Sequence, residues 1–141
     1  MAAMGNKVPQ GRIGSDRRER LIAVHDRHDD VEQDHVDRRL LRITQTIERL
    51  LAENPRNPGY RNLHAVLLSR IGEYARSSEI YAKLLAEYPA HAKVWLSYGH
   101  VLKTEGRQDE GVKAYRRSIA CDPAFGEAYW SLANMKTYRF T

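Results

Sequence analysis

NLHAVLLSRIGEYARSSEIYAKLLAEYP, Asn62 to Pro89, and LSYGHVLKTEGRQDEGVKAYRRSIACDP, Leu96 to Pro123, align residue for residue without an insertion. The offset between them is 34 residues, and Pro55, Pro89 and Pro123 recur at the same interval. Apolar residues repeat at helical spacing within each stretch, and Gly72 and Gly106 divide each into two helices. Proline disfavours a helical residue before it and cannot continue the hydrogen-bond ladder, so each proline marks the end of a second helix. A period of this length built from two short helices implies stacking, because no single hairpin can bury its apolar face and its neighbours must cover it.

The best-formed unit runs from Ala92 to Phe125. Trp95, Tyr98, Gly99 and Leu102 occupy its first helix, Gly111 and Tyr115 its second, and Pro123 closes it. This pattern resembles the tetratricopeptide repeat (TPR). The fold implied by the resemblance is all-α, a TPR-type solenoid of helical hairpins with about two full repeats and partial repeats at each end. In that family's pattern Gly99 is the small residue that lets the two helices approach, and Gly111 departs from the usual alanine. The unit before it, 58–91, matches less closely, with Arg61, His64, Ala65 and Leu68 in its first helix and Ser77, Tyr81 and Pro89 in its second. After Phe125 the pattern restarts at Gly126 as the first helix of an unfinished repeat.

Upstream, Leu40, Ile43, Ile47, Leu50 and Leu51 are spaced for one buried helical face. The helix expected before them, near 24–37, is poor: Arg27, Asp30 and Asp34 stand where apolar groups belong. The expected organisation is a flexible basic arm over 1–20, a degenerate first repeat over 21–57, repeats over 58–91 and 92–125, and the unfinished repeat over 126–141. Helices are expected at 38–53, 59–71, 75–87, 92–104, 109–120 and 126–138, with Asp109 capping the one that begins at Glu110.

The 141 residues, 42% of them hydrophobic, suffice for one domain of modest size. Residues 1–20 carry too few apolar groups to offset the entropy of ordering. No apolar run approaches the roughly 18 to 20 residues that span a bilayer, and the N-terminus lacks the apolar core of a secretory signal. The expectation is a cytoplasmic protein with no membrane partner. A single cysteine, Cys121, precludes an internal disulfide and reads as a small packing residue near the end of a second helix.

A net charge of +5 invites a nucleic-acid reading, but the placement of the charges argues against it. Arg12, Arg17, Arg18 and Arg20 are interleaved with Asp16 and Glu19, whereas a phosphate-tracking surface needs clustered cations with aromatic groups among them. Arg107, Lys113, Arg116 and Arg117 do cluster, and a solvated convex surface accounts for them. His25, His28 and His35 recur at helical spacing beside Asp29 and Glu32, yet they form no defined metal-site pattern. His64 is expected between helices and His100 in the groove. There is no glycine-rich phosphate loop, no GxSxG and no cysteine–histidine pairing, so the chain presents no catalytic site and no cofactor is expected.

What the fold offers is a concave groove lined by successive first helices, suited to a protein or peptide ligand. The expected lining is Asn62, Val66, Ser69 and Arg70, then Lys93, Leu96, His100 and Lys103, then Glu127, Trp130, Asn134, Thr137 and Tyr138. Chaperone-tail readers of the family carry a carboxylate clamp; Lys93 matches one of its slots, but Val66 and Ser97 occupy others, and chaperone binding is not expected. The stretch AFGEAYWSLANMKTYRF, Ala124 to Phe140, resembles the last repeat before the catalytic domain of bacterial TPR-containing sulfotransferases. Lys136, Thr137, Tyr138, Arg139 and Phe140 carry the part of that likeness that lies beyond the repeat pattern. It implies the non-catalytic front of a sulfotransferase; the alternatives are a free-standing adaptor, or a nucleic-acid- or metal-binding protein acting through its N-terminal region. The last helix, with Trp130, Met135 and Tyr138 beyond the packed Tyr129, Leu132 and Ala133, looks too apolar for a cap. It is expected to be covered by a further helix, a downstream catalytic domain or another copy of the chain.

Overall fold

The computed structural model describes the backbone from Ile13 to Met135 and the side chains from Asp30 to Met135. Among the described residues there are six helices and no strand: α1 (Ile13–Glu53), α2 (Pro58–Arg70), α3 (Tyr74–Glu87), α4 (Ala92–Thr104), α5 (Gln108–Cys121) and α6 (Gly126–Ala133). The bounds of α4 and α5 are those of α2 and α3 moved on by 34 residues, and α6 starts 34 residues after α4. The fold is an all-α, TPR-type helical repeat.

The hairpin turns are set by glycine. Gly72 and Gly106 have φ of 86° and 83°, a left-handed conformation that a side chain would strain. Pro58 opens α2, and the Asn57 side chain accepts a hydrogen bond from the Tyr60 backbone amide, capping it. Arg107 rather than Asp109 precedes α5, without a side-chain cap; Asp109 and Glu110 lie in the first turn, where their charge still complements the helix dipole.

The core repeats with the sequence. Ala65 and Gly99, Leu68 and Leu102, and Tyr81 and Tyr115 are equivalent pairs, each buried to 1% exposure or less where a side chain is present. At Gly99 an added Cβ would lie 2.5 Å from Tyr115 Cε1, so the missing side chain is what seats the tyrosine ring. Gly111 faces the same place from α5, where a Cβ would meet the Gly99 carbonyl oxygen at 3.3 Å. Two glycines opposite each other bring α4 and α5 close together. Hydroxyls close the remaining gaps: Ser77 Oγ donates to the Ala65 carbonyl at 2.6 Å, and Ser118 Oγ to the Ala92 carbonyl at 2.7 Å. No buried side-chain nitrogen or oxygen among the described residues lacks a partner.

The chain divides into two units, Met1–Arg38 and Arg39–Thr141. In the first, the described side chains of α1 are exposed, with Asp34 pairing with Arg38 at 3.7 Å and Gln33 donating to Asp37 at 3.1 Å. In the second, Thr44 and Ile47 are buried, Leu40, Leu50 and Leu51 are half-buried, and Ile43 is exposed. The buried stripe is therefore 40, 44, 47 and 51, with Thr44 in place of the expected Ile43. His64, buried between helices, approaches Glu48 of α1 at 3.2 Å, and Arg76 of α3 donates to the same carboxylate at 3.3 Å.

Three helical expectations are corrected. α1 is unbroken where a hairpin turn was expected near residue 37, because no glycine or proline interrupts Ser15–Glu53 and straight-chain helix formers fill it. Residues 13–20, read as part of a flexible arm, are helical; residues 1–12 lie outside the described residues. α6 ends at Ala133 rather than 138, since the Asn134 side-chain amide donates back to the Trp130 carbonyl at 2.8 Å and the backbone turns at Met135. That turn carries Met135 into the core at 2% exposure, while Tyr129, Ala133 and Trp130 remain exposed. Cys121, expected to pack, is exposed at the repeat junction, its thiol 3.4 Å from the Pro89 carbonyl oxygen.

Candidate functional site

α2 and α4 are the first helices of successive hairpins and lie beside each other. Between their C-terminal halves runs a cleft of about 250 Å³. Val66, Ser69 and Arg70 of α2 form one wall and Ser97, His100, Val101 and Thr104 of α4 the other, with Tyr74 and Tyr81 of α3 also lining it. Ala65, Leu68 and Leu102 turn toward the core, while Val66, Ser69, Arg70, His100 and Thr104 stand half-buried or exposed along the cleft.

The cleft is cationic. Arg70 lines it and no carboxylate does, and Arg70, like Lys93 and Lys103 outside the lining on α4, stands exposed with no carboxylate partner among the described residues. Several cations elsewhere are engaged. Arg107 is held by Glu105 at 3.2 Å and Glu110 at 2.6 Å, Arg61 by Glu87 at 2.8 Å, and Arg76 by Glu48.

His100 joins the cleft to the core. Its Nδ1 lies 3.0 Å from the Tyr115 hydroxyl, and the two rings meet edge-on with centroids 5.4 Å apart. Burial holds the His100 imidazole below its usual pKa; Glu127 pulls it back up and Lys103 adds to the lowering. The ring is thus neutral at pH 7, and with its proton on Nε2 it accepts the phenol hydrogen at Nδ1. Burial also pushes the Tyr115 phenol up to about 12, and that of Tyr81 up to about 12 against a hydrogen bond with Ser97. These groups hold the cleft's shape and bring no reactive centre to it.

A second cleft, of about 340 Å³, lies at the N-terminal ends of α2 and α4. Pro58, Gly59 and Asn62, Leu84 and Tyr88 at the end of α3, and His91 and Val94 line it. It is mostly apolar, and the Tyr88 and His91 rings sit 6.5 Å apart at its edge. The adjoining acid, Glu87, is occupied by Arg61.

Of the expected groove residues, the structure gathers Val66, Ser69, Arg70 and His100 in the first cleft and puts Asn62 in the second. Lys93 and Lys103 are exposed on α4 outside both linings, Glu127 and Trp130 are exposed on α6, and Asn134 is exposed just after it. Leu96 is buried, packed with Tyr115, Ala128, Leu132 and Met135, because α6 covers that face of α4. Thr137 and Tyr138 lie outside the described residues. Ser97 and Thr104 lie beside expected groove positions, one residue along. Tyr88, Leu84 and His91 were missed, since no single helix's periodicity brings them together. Of the histidines considered for metal binding, His25 and His28 have side chains outside the described residues and His35 is exposed; among the described residues no group of three potential ligands converges. No described helix is long and apolar enough to cross a membrane.

The fold and the cleft between first helices define a TPR-type scaffold. Residues 92–125 match the family model described as tetratricopeptide repeat. Small glutamine-rich tetratricopeptide repeat-containing protein 2 of Mycosarcoma maydis is 30% identical over 71 residues, 50% of this chain and 20% of that protein. Among solved structures, MamA 41-end from Desulfovibrio magneticus RS-1 is similar with a TM-score of 0.65 and 18% identity, over 68% of this chain and 54% of that one. The Naa15/Naa10 complex bound to HypK-THB contains a chain similar over 83% of this one and 17% of its own length, with a TM-score of 0.57 and 22% identity. At these identities the structural likeness concerns the fold alone. This chain spans a fifth of the sequence relative's length and about half of the MamA chain's. The repeat and its relatives support a scaffold for protein–protein interaction.

Proposed function

We propose that the valley between α2 and α4 holds an extended segment of a partner protein. The observation that carries this reading is the cationic cleft formed by two first helices, lined by Val66, Ser69, Arg70, Ser97, His100 and Thr104 without any carboxylate. Extended peptides lie well in such a valley, because backbone groups find hydroxyls and side chains find the gaps between helices. The test uses peptides selected by phage display against the full chain. Thr104→Trp fills the cleft from an exposed position and is expected to lower their affinity at least about tenfold, roughly 1.4 kcal/mol. Lys113→Glu, on α5, is expected to leave it unchanged. Peptides indifferent to Thr104→Trp and lost with Lys113→Glu would move the binding surface to α5 and end this reading.

A finer reading attaches the scaffold to a sulfotransferase and sets it in the cytoplasm. The support is the sequence likeness of Ala124–Phe140, whose most discriminating residues, Lys136 to Phe140, lie outside the described residues. The mass of the native polypeptide in its source cells tests it. A polypeptide that continues into a domain with a phosphate-binding loop and transfers a sulfuryl group supports the reading; one of 16.3 kDa removes it.

A further inference from the structure

The two clefts described above are consecutive stretches of one valley. Asn62 of α2 and Val94 of α4 line the apolar cleft; Val66 and Arg70 of α2, and Ser97, His100 and Thr104 of α4, line the cationic one. Both helices therefore run in the same sense from the apolar cleft to the cationic cleft, so the valley has a chemical polarity along its length. At one end are Leu84, Tyr88 and Val94; at the other is Arg70, with Lys103 near His100, and neither cation is matched by an acid among the described residues.

We infer that the ligand is a two-point peptide, with a large apolar side chain seated in the cleft beside Tyr88 and a carboxylate side chain held at Arg70. The inference rests on the peptide-binding reading above and specifies its ligand. Charge complementarity selects the acid: Arg70 offers a planar set of donors that a carboxylate matches, while the Ser69, Ser97 and Thr104 hydroxyls, which donate to carbonyls of their own helices, can accept from the peptide's backbone amides. The apolar end selects a leucine-like group, because Leu84, Val94 and the Tyr88 ring give little to bond with. The spacing follows from helix geometry. Asn62 and Arg70 are eight residues apart on α2, about 12 Å at the helical rise. An extended chain advances about 3.3 Å per residue, so the apolar and acidic residues are separated by about four positions.

The probes are fluorescein-labelled peptides with one leucine and an Asp-Asp pair separated by one to six serines, made in both orders and titrated by anisotropy against the full chain. Affinity is expected to peak, in one order, with about three serines between them, where Leu→Ser and Asp-Asp→Asn-Asn each weaken binding about tenfold. Arg70→Ala should abolish the preference for Asp over Asn and keep the preference for Leu; Tyr88→Ala should do the reverse. Arg70→Glu supplies a gain of function that a merely damaged fold would not show: peptides with Lys-Lys in place of Asp-Asp should then bind better than the originals. Peptides that bind and are blocked by Thr104→Trp, yet show no spacing optimum and no response to Arg70→Glu, would overturn the two-point ligand and leave the peptide groove standing. Absence of binding by every peptide at millimolar concentration would overturn both.

Discussion

Gly99 leaves no room for a side chain against Tyr115, and this gives a prediction whose sign reverses with background. In Gly99→Ala the new Cβ would sit 2.5 Å from Tyr115 Cε1 and 2.6 Å from Cδ1, whereas carbon atoms in contact prefer about 3.5–4.0 Å. The ring must shift by about 1 Å from its present contacts. It has little room to do so: Tyr115 is fully buried and its hydroxyl is tied to His100 at 3.0 Å. Overpacking of this kind costs about 1–3 kcal/mol, while alanine gains about 0.8–1 kcal/mol over glycine inside a helix. The net expectation is a loss of about 1 kcal/mol. Tyr115→Ala alone should cost about 3–5 kcal/mol through the cavity it leaves. In that background the clash is gone, and Gly99→Ala should stabilise by about 1 kcal/mol. The four chains are compared by urea denaturation in the same concentration of trimethylamine N-oxide, which keeps the weakest variant folded. The coupling between the two sites should be about 2 kcal/mol. If Gly99→Ala has the same effect in both backgrounds within about 0.5 kcal/mol, the role assigned to Gly99 is wrong.

Acid stability should report on His100. Its pKa is lowered in the folded chain, so as pH falls the unfolded imidazole, near its ordinary value of about 6.5, takes up a proton first. The contribution is fully present above about pH 6.5 and is lost as pH falls through the folded pKa; wild type should therefore lose more stability than His100→Gln between about pH 7.5 and 5, and equal losses would refute the assignment. On α6, Met135→Ala should cost about 2–5 kcal/mol because Met135 is 2% exposed. Trp130→Ala, at a site 70% exposed, should change stability by less than about 0.5 kcal/mol, and a reversed order in thermal melts would place the wrong residue in the core.

Periodicity made most of the solenoid legible because each core position is specified twice. Tyr81 and Tyr115, like Ala65 and Gly99, answer the same steric requirement, so a weak match in one repeat is supported by a strong match in the other. The same register located Val66, Arg70 and His100 on the cleft. It failed for Leu96, whose face of α4 would be open on an isolated hairpin and is closed only by Ala128 and Leu132 of α6. It failed for α1 in a different way. Helical spacing tells which residues share a face, and the stretch around Asp30 and Asp34 has no apolar face for a partner to cover; without one there is nothing to fold the chain back, and helix propensity with ion pairs such as Asp34–Arg38 extends the helix instead.

The apolar cleft shows where sequence reading stops. Tyr88 and His91 flank Pro89, a residue that marks only the end of a helix when the chain is read alone. In the fold that ending is also a surface: the chain leaves α3 at Tyr88 and enters α4 at His91, so both rings reach the mouth of the valley opposite Pro58 and Gly59. Trp95 reinforces the junction by donating its indole N–H to the Pro89 carbonyl at 2.8 Å. The residues that break the helices therefore also shape one end of the proposed binding valley. A substitution that lengthens α3, such as Pro89→Ala, should weaken binding of the leucine-bearing peptides while leaving the Asp-Asp contribution at Arg70 intact. Loss of both contributions together, with the fold retained by circular dichroism, would show that the two clefts do not act as separate contact points.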